Sequence, residues 1–117
     1  MLKRENRLKK RYQYSYVYRE GSHVSGKFLV LYFTPSKTKN IKVGFAVTKK
    51  IGHAIKRNKI RRRLREIVRN YLPNLKENCN IILVAKESSK EASFVSLADE
   101  FANLTKKANI SIDEKSI

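Results

Sequence analysis

The sequence predicts one compact domain in which a small sheet packs against helices. Its length of 117 residues suits a single hydrophobic core. Three short segments are rich in β-branched and aromatic residues, which is typical of strands. Two longer segments repeat apolar residues every three to four positions, as amphipathic helices do. We therefore expect residues 1–117 to form a single domain, whose end frays from Asn109 onward.

The strand segments differ in how their apolar residues are arranged. They cover residues 28–34, 42–48 and 80–86. In the second segment, Val43, Phe45 and Val47 alternate with small or polar residues, which predicts one buried face. The first segment is apolar on both faces, so either its second face is also covered or its Tyr32 is offered to a ligand.

Both predicted helices have one apolar face for the core. The first runs from about residue 54 to 72, and Pro73 follows where it should end. Its apolar face consists of Ile60, Leu64, Ile67, Val68 and Tyr71. The second helix follows Ser93, which can serve as its N-cap. Its apolar face consists of Phe94, Leu97, Ala98, Phe101, Leu104 and Ala108.

Residues 11–20, RYQYSYVYRE, fit two structures. Tyrosines at every second position from 12 to 18 alternate like a strand, whereas Leu8, Val17 and the Tyr14–Tyr18 pair suit a short helix. Taken alone, the alternation favours the strand. For Tyr12, Tyr16 and Tyr71 the favoured interpretation is a place in the core.

The chain is strongly and unevenly basic. It has 27 lysines and arginines against 10 acidic residues, a formal net charge of +17. Residues 49–69 alone contain 10 basic residues and 1 acidic residue. Such a local excess is typical of a surface for a polyanion, either nucleic acid or an anionic membrane.

The sequence contains no apolar run that approaches the roughly 20 residues of a membrane-spanning helix, and its amino terminus lacks the apolar stretch of a secretory signal. We therefore expect a cytoplasmic protein without a membrane partner.

Most of these cations lie on the first predicted helix. At about 100° per residue, Asn58, Arg62, Arg65 and Arg69 fall opposite the apolar face. A merely solvated face would intersperse glutamates with the cations, but Glu66 is the only acid in the segment. Arginine outnumbers lysine there by six to two, which favours bidentate contacts with phosphate. The helix is therefore predicted to bind nucleic acid.

The sequence contains no evident catalytic site for phosphodiester hydrolysis. Such a site would need clustered carboxylates for metal ions or a positioned histidine pair. Seven of the ten acidic residues follow residue 70, scattered among lysines, and His23 and His53 fall in predicted loops. The single cysteine, Cys79, is expected to be a small buried hydrophobic residue. We predict no catalytic residue on the protein and assign no metal site to it.

The segment IGHAIKRNKIRRRLR, residues 51–65, resembles the RNR motif of the protein subunit of bacterial ribonuclease P. It keeps Arg57 and Asn58, the basic pair Arg61-Arg62, and Leu64-Arg65, whereas Lys59 stands where the name of the motif has arginine. The resemblance extends upstream through VGFAVTKK at residues 43–50 and to RLKK at residues 7–10. It covers roughly residues 5–86 and, more weakly, the last helix.

This resemblance implies an α+β fold. The family has a short amino-terminal helix, a four-stranded sheet packed by helices, the basic helix in a left-handed βαβ crossover, and a carboxy-terminal helix. It is similar to the second domain of a small-subunit ribosomal protein. The resemblance reverses the local interpretation of residues 11–20, which become helical, with Tyr14 and Tyr18 on one face.

The resemblance also implies a function in removing the 5′ leader of precursor tRNA. The RNA subunit performs the metal-dependent cleavage, and the protein, monomeric when alone, binds that RNA and the single-stranded leader. The residues implied to bind the catalytic RNA are Lys49, Lys50, Arg57, Asn58, Lys59, Arg61, Arg62, Arg65 and Arg69. Those implied to bind the leader are Tyr14, Tyr18, Tyr32, Arg57, Asn58 and Arg61. Mg²⁺ is expected in the holoenzyme, held mainly by RNA, with no cofactor intrinsic to the protein.

Other nucleic-acid-binding proteins are alternatives. A ribosomal or rRNA-binding structural protein would share the size, charge and even the fold, but it does not need an aromatic groove for a free strand. A DNA-reading helix is disfavoured because asparagine and glutamine are scarce on the basic helix. An independent protein nuclease is disfavoured because the catalytic groups are missing.

Overall fold

Three helices and a four-stranded mixed sheet build the domain, as seen in a computed structural model that describes residues 3–36, 40–76 and 78–111. The helices are α1 (Arg11–Glu20), α2 (Ala54–Tyr71) and α3 (Phe94–Lys107). The strands are β1 (Ser22–Ser25), β2 (Leu29–Pro35), β3 (Lys42–Val47) and β4 (Cys79–Ala85). The α+β class is confirmed.

The strand order in the sheet is β1-β2-β4-β3. β1 and β4 each pair antiparallel with β2, whereas β3 pairs parallel with β4 and is joined to it through α2. The three strands predicted from the residues are confirmed to within one position at either end. The edge strand β1 was not predicted from its residues because Ser22–Ser25 contains only one apolar residue, Val24. The left-handed sense of the crossover stays a prediction.

One face of the sheet carries the main core together with α2 and α3. The buried residues of α2 are Ile60, Leu64, Ile67 and Val68, and those of α3 include Leu97, Phe101 and Leu104, as the two periodic patterns predicted. Tyr71 is half-buried with its ring edge-on to Phe101 at 5.4 Å, so its place in the core is confirmed. Phe94 is an exception: it is 39% exposed because it opens α3. The Ser93 cap is confirmed, since its hydroxyl accepts the Ser96 N–H at 3.0 Å.

The opposite face of the sheet carries α1, so the strand interpretation of residues 11–20 is wrong. The helix is fixed by long-range packing: Val17 is fully buried in a second cluster with Leu8 and Ile82. In a helix, every second residue falls on nearly opposite sides, so the tyrosine alternation divides into a 14/18 pair and a 12/16 pair. At the start of α1, the Gln13 side chain accepts the N–H groups of Lys9 and Lys10 at 2.9 and 3.0 Å.

The two exposed tyrosines of α1 correct a second interpretation. Tyr12 is 68% exposed and Tyr16 is 46% exposed, so neither belongs to the core. The reason is their position on α1, which directs them away from the sheet side occupied by Val17.

The carboxy-terminal segment is anchored as far as the structure describes it. Ile110 is buried, its carbonyl accepts the Lys76 N–H at 2.8 Å, and Ser111 forms a β-bridge with Leu75. The fraying expected from Asn109 onward therefore does not apply to residues 109–111, because Ile110 adds an apolar side chain to the core. Residues 112–117 lie outside the described residues.

Cys79 begins β4 and is a small buried hydrophobic residue, as expected. Its thiol donates to the Lys76 carbonyl at 3.2 Å. Burial raises the pKa of Cys79 to about 11, with a smaller opposing effect from Lys76. The thiol is therefore protonated and unreactive near neutral pH.

A carboxylate in α3 fixes the turn between β1 and β2. Glu100 accepts three backbone N–H groups, from Lys27 at 2.8 Å, Phe28 at 2.8 Å and Leu29 at 2.6 Å. Gly26 makes this approach possible, because a Cβ there would lie 2.5 Å from the carboxyl carbon. Three charge-assisted hydrogen bonds thus tie α3 to the turn.

We expect Glu100→Gln to destabilise the fold by at least about 2 kcal/mol, because the amide turns an N–H group toward backbone donors that then lack an acceptor. Chemical denaturation measures the free energy of unfolding. Asp99→Asn is the matched control, since Asp99 is the exposed neighbour of Glu100 in the same helix. Equal effects of the two substitutions would show that the carboxylate does not hold the turn.

Candidate nucleic-acid interface

The basic face of α2 points away from the core, as the sequence predicted. Asn58, Lys59, Arg62, Arg65 and Arg69 are exposed. Arg61 is half-buried and donates to the Asn58 side-chain oxygen at 3.0 Å, which holds its guanidinium along the helix. Lys49 and Lys50 are exposed in the short turn that leads from β3 toward α2.

The charge of this face is largely unneutralised. Among the described residues, the ion pairs are Arg19–Glu20, Arg69–Glu66 and Lys90–Glu87. Of the nine residues implied to bind RNA, only Arg69 takes part in one of these pairs, at 2.6 Å. Arg63 is turned toward the protein, where it donates to the Ala92 carbonyl at 3.4 Å. The remaining cations can therefore meet a polyanion without first losing an acidic partner.

Arg57 combines partial burial with an unused donor. The residue is half-buried, and its Nε is buried with no hydrogen-bond partner among the described residues. Leaving a buried donor unpaired costs about 1–3 kcal/mol. An anion at the start of α2 would satisfy this group, and the positive end of the helix dipole favours an anion there.

The three tyrosines implied to bind a single strand lie together on one side of α1. The Tyr18 and Tyr32 rings meet edge-on, with centroids 4.8 Å apart, and Tyr14 lies four residues before Tyr18 on the same helical face. Burial raises the pKa of Tyr18, and the neighbouring Tyr32 and Tyr14 raise it further. The three side chains therefore share one environment.

The floor below these rings comes from two adjacent rows of the sheet. Gly44, Ile82 and Tyr32 are cross-strand neighbours, and α1 lies on this row through Tyr14, Val17 and Tyr18. The next row on this face consists of Ala46, Val84 and Val30, all half-buried. We call the surface formed by Tyr14, Tyr18, Tyr32, Ala46, Val84 and Val30 the inner cleft. β3 leads from this floor to Lys49, Lys50 and the start of α2.

Two residues of this region were not predicted to take part in the site. Gly44 gives the Tyr14 ring its place, because a Cβ at Gly44 would lie 2.6 Å from that ring. A glycine in the middle of a strand is a signal for such a close approach. His23 belongs to β1 and not to a loop, and its ring lies 5.3 Å from Tyr32. His53 immediately precedes α2, outside any strand.

Neither a candidate membrane-spanning helix nor a candidate metal-binding cluster is found in the described parts of the chain. None of the helices there is both long and apolar enough to cross a membrane. Histidine, cysteine, aspartate and glutamate side chains in those ranges form no group of three or more that could hold a metal ion.

Comparison with known sequences identifies similar proteins over nearly the whole chain. The family model described as Ribonuclease P matches residues 2–109. A ribonuclease P protein component from Syntrophomonas wolfei is 36% identical over 110 residues, which is 94% of this chain and 92% of that protein. One from Clostridioides difficile is 38% identical over 106 residues, covering 90% of this chain and 93% of that protein.

Comparison with solved structures identifies proteins of the same fold. The RNase P protein of Staphylococcus aureus superposes with a TM-score of 0.84 at 26% identity, covering 92% of this chain and 98% of that one. The RNase P protein of Thermotoga maritima shows the same fold, with a TM-score of 0.80 at 24% identity over 86% of this chain and 96% of that one.

We expect Gly44→Ala to push the Tyr14 ring out of the inner cleft and to lower the free energy of unfolding by about 1–3 kcal/mol. In a Tyr14→Ala background the same substitution should be neutral or stabilising, because the clash is gone and alanine restricts the unfolded chain. A double-mutant cycle by chemical denaturation measures this coupling. Additive effects would show that the ring and the glycine are not in contact.

Proposed function

The chain belongs to the ribonuclease P protein family, and from this membership we propose that α2 binds the catalytic RNA while the inner cleft holds the single-stranded 5′ leader of precursor tRNA. The chain is a bacterial-type component of the endoribonuclease that matures the 5′ end of tRNA. The observation that carries the proposal is the pairing of an unneutralised guanidinium face with a tyrosine-lined cleft on the same small domain.

The α2 surface suits a folded RNA. Its arginines recur at intervals of three or four residues, so their Cβ atoms are about 5–6 Å apart along the helix. Planar guanidinium groups bind phosphate oxygens in pairs, and each contact releases counterions from the RNA. Arg69 contributes less because Glu66 already engages it. The other residues that we assign to the catalytic RNA are Lys49, Lys50, Arg57, Asn58, Lys59, Arg61, Arg62 and Arg65.

The inner cleft suits a strand of unpaired nucleotides. Aromatic rings accept any base by stacking, which is worth roughly 1–3 kcal/mol for each base. Ala46, Val84 and Val30 add a floor without charge, over which a base loses little hydration. Arg57, Asn58 and Arg61, at the start of α2, would contact the backbone of the same strand as well as the catalytic RNA. A mature tRNA lacks this strand, so the cleft would distinguish precursor from product.

We assign the chemical step to the RNA subunit. Mg²⁺ would be held mainly by that RNA, and the cations of α2 would lower the magnesium requirement by replacing part of the counterion atmosphere. The protein would act as a monomeric subunit in the cytoplasm, where its RNA partners are made. Cleavage of a tRNA precursor by the purified chain, freed of all RNA, would contradict this assignment.

Of the alternatives considered from the sequence, a structural ribosomal protein shares the basic surface. The comparisons favour ribonuclease P because relatives with that description match the chain over at least nine-tenths of its length. The grouping of Tyr14, Tyr18 and Tyr32 over an apolar floor also favours a protein that handles a free strand.

Replacing Arg61 and Arg65 with glutamine should weaken assembly with the catalytic RNA and lower the slope of log K against log salt by about 1.5, since two phosphate contacts are lost. Binding of labelled catalytic RNA at several salt concentrations measures both quantities. Lys106→Gln with Lys107→Gln removes the same charge from the exposed end of α3 and should leave the slope nearly unchanged. A double arginine variant that assembles normally but loses only leader affinity would contradict the assignment of α2.

Tyr18→Ala should leave assembly intact but weaken binding of precursor tRNA by about fivefold or more, because one stacking surface is lost. Tyr18→Phe keeps the ring and should retain most of the affinity. The measurement is the affinity of the reconstituted holoenzyme for precursor and mature tRNA at low magnesium. Equal losses for the two tRNAs would show that the cleft does not hold the leader.

A further inference from the structure

The side of α1 away from the inner cleft carries a second set of aromatic and cationic residues. Tyr12 and Tyr16 are exposed there, one helical turn apart. The Arg19 guanidinium lies 5.9 Å from the centre of the Tyr16 ring, within the range of a cation–π contact. These residues line a groove, which we call the outer groove. Its lining is completed by Leu8, Arg11, Gln13, Ser15 and Asn80.

The floor of the outer groove contains an unsatisfied polar group. Asn80 is a cross-strand neighbour of Lys42 and Thr34, in the row on the far side of α1 from Ala46 and Val84. Its side-chain oxygen is buried and has no hydrogen-bond partner among the described residues. A buried amide oxygen without a donor is costly, and an amino group of a nucleobase would satisfy it.

A cluster of cations joins the outer groove to the β3 edge of the sheet. Five cations, Arg4, Arg7, Lys9, Lys10 and Lys42, line a depression together with the acidic Glu5, and this depression shares Gln13 with the wall of the outer groove. We call these five residues the basic cluster. It lies at the amino end of α1, where the backbone of Arg7 forms an isolated β-bridge with that of Val43. The pKa of Lys9 is lowered by desolvation and by the charges of Arg4, Arg7 and Lys42, so the cations repel one another and a phosphate would relieve that repulsion.

We propose that the outer groove and the basic cluster bind leader nucleotides that lie farther from the cleavage site than those held in the inner cleft. This inference rests on the proposed function of the inner cleft. The RNA strand would pass around the amino end of α1. The helix is about 10–12 Å thick, a distance that a few extended nucleotides can span. The phosphates of the RNA strand would meet Lys9 and Lys10, and its bases would then stack on Tyr12 and Tyr16.

The exposed rings favour the leader over the catalytic RNA as occupant. A folded RNA presents mostly phosphates and paired bases, for which cations alone suffice. Exposed tyrosines with an open face are instead typical of surfaces for unpaired bases. The leader is an extended single-stranded part of the substrate, and the proposed function already places it beside α1.

The experiment compares precursors with leaders of about 4 and about 12 nucleotides, both within the range for single-strand sites. The wild-type holoenzyme should bind the long leader more tightly. Tyr12→Ala with Tyr16→Ala should weaken binding of the long-leader precursor by about fivefold or more and leave the affinity for the short-leader precursor unchanged.

Lys9→Gln with Lys10→Gln should also weaken binding of the long-leader precursor only, and it should lower the slope of log K against log salt for that precursor. Val95→Ala, an exposed apolar change on α3, is the control for altered surface.

Several outcomes would overturn the inference. One is a wild-type holoenzyme that gains nothing from the longer leader, and another is a tyrosine double variant that loses affinity equally for both leaders. A loss of assembly with the catalytic RNA would assign the outer groove to that RNA instead. Tyr18→Ala tested on the short leader reports on the inner cleft separately, so a failure of the proposed function remains distinguishable from a failure of this inference.

Discussion

The packing of α1 across one row of the sheet is the contact on which the inner cleft and the outer groove both depend. Val17 is fully buried in a cluster with Ile82, while Tyr14 lies over Gly44 and Tyr18 meets Tyr32. These three contacts fall on neighbouring strands in one register, so the helix crosses the strands and divides this face of the sheet. The positions of the rings relative to the cleft floor follow from that crossing.

The unpaired cations of α2 are tolerated because the stability of this helix comes from its buried face. Burial of Ile60, Leu64 and Val68 contributes about 1.5–3 kcal/mol for each side chain. Each pair of like charges one turn apart costs only a few tenths of a kcal/mol. The apolar contacts therefore outweigh the repulsion, and the repulsion falls further when phosphates lie between the guanidiniums. The same balance explains why the basic face needs few acidic partners of its own.

The sequence predicts an element well where its own period decides the structure. The apolar face of α2 and the alternation in β3 are both local, and both were found at the predicted positions. α1 was not predicted from its residues alone, because its tyrosine alternation fits a strand and the deciding contact, Val17 with Ile82, joins residues far apart in the chain. Grouping Tyr32 with the helix tyrosines required the family resemblance for the same reason. No local pattern marks Glu100 as the acceptor for a distant turn.

The half-covered floor of the inner cleft would let a small domain bind a base without losing its fold. The opposite face of the sheet buries most of the core, so this face needs only the short helix α1. The side chains left beside it, Ala46, Val84 and Val30, are small, and at about 25 cal/mol for each Å² their remaining exposure costs little. A stacked base would cover the same area and recover that free energy. The exposure that slightly weakens the free protein would therefore add, beside ring stacking, to the proposed affinity for an unpaired base.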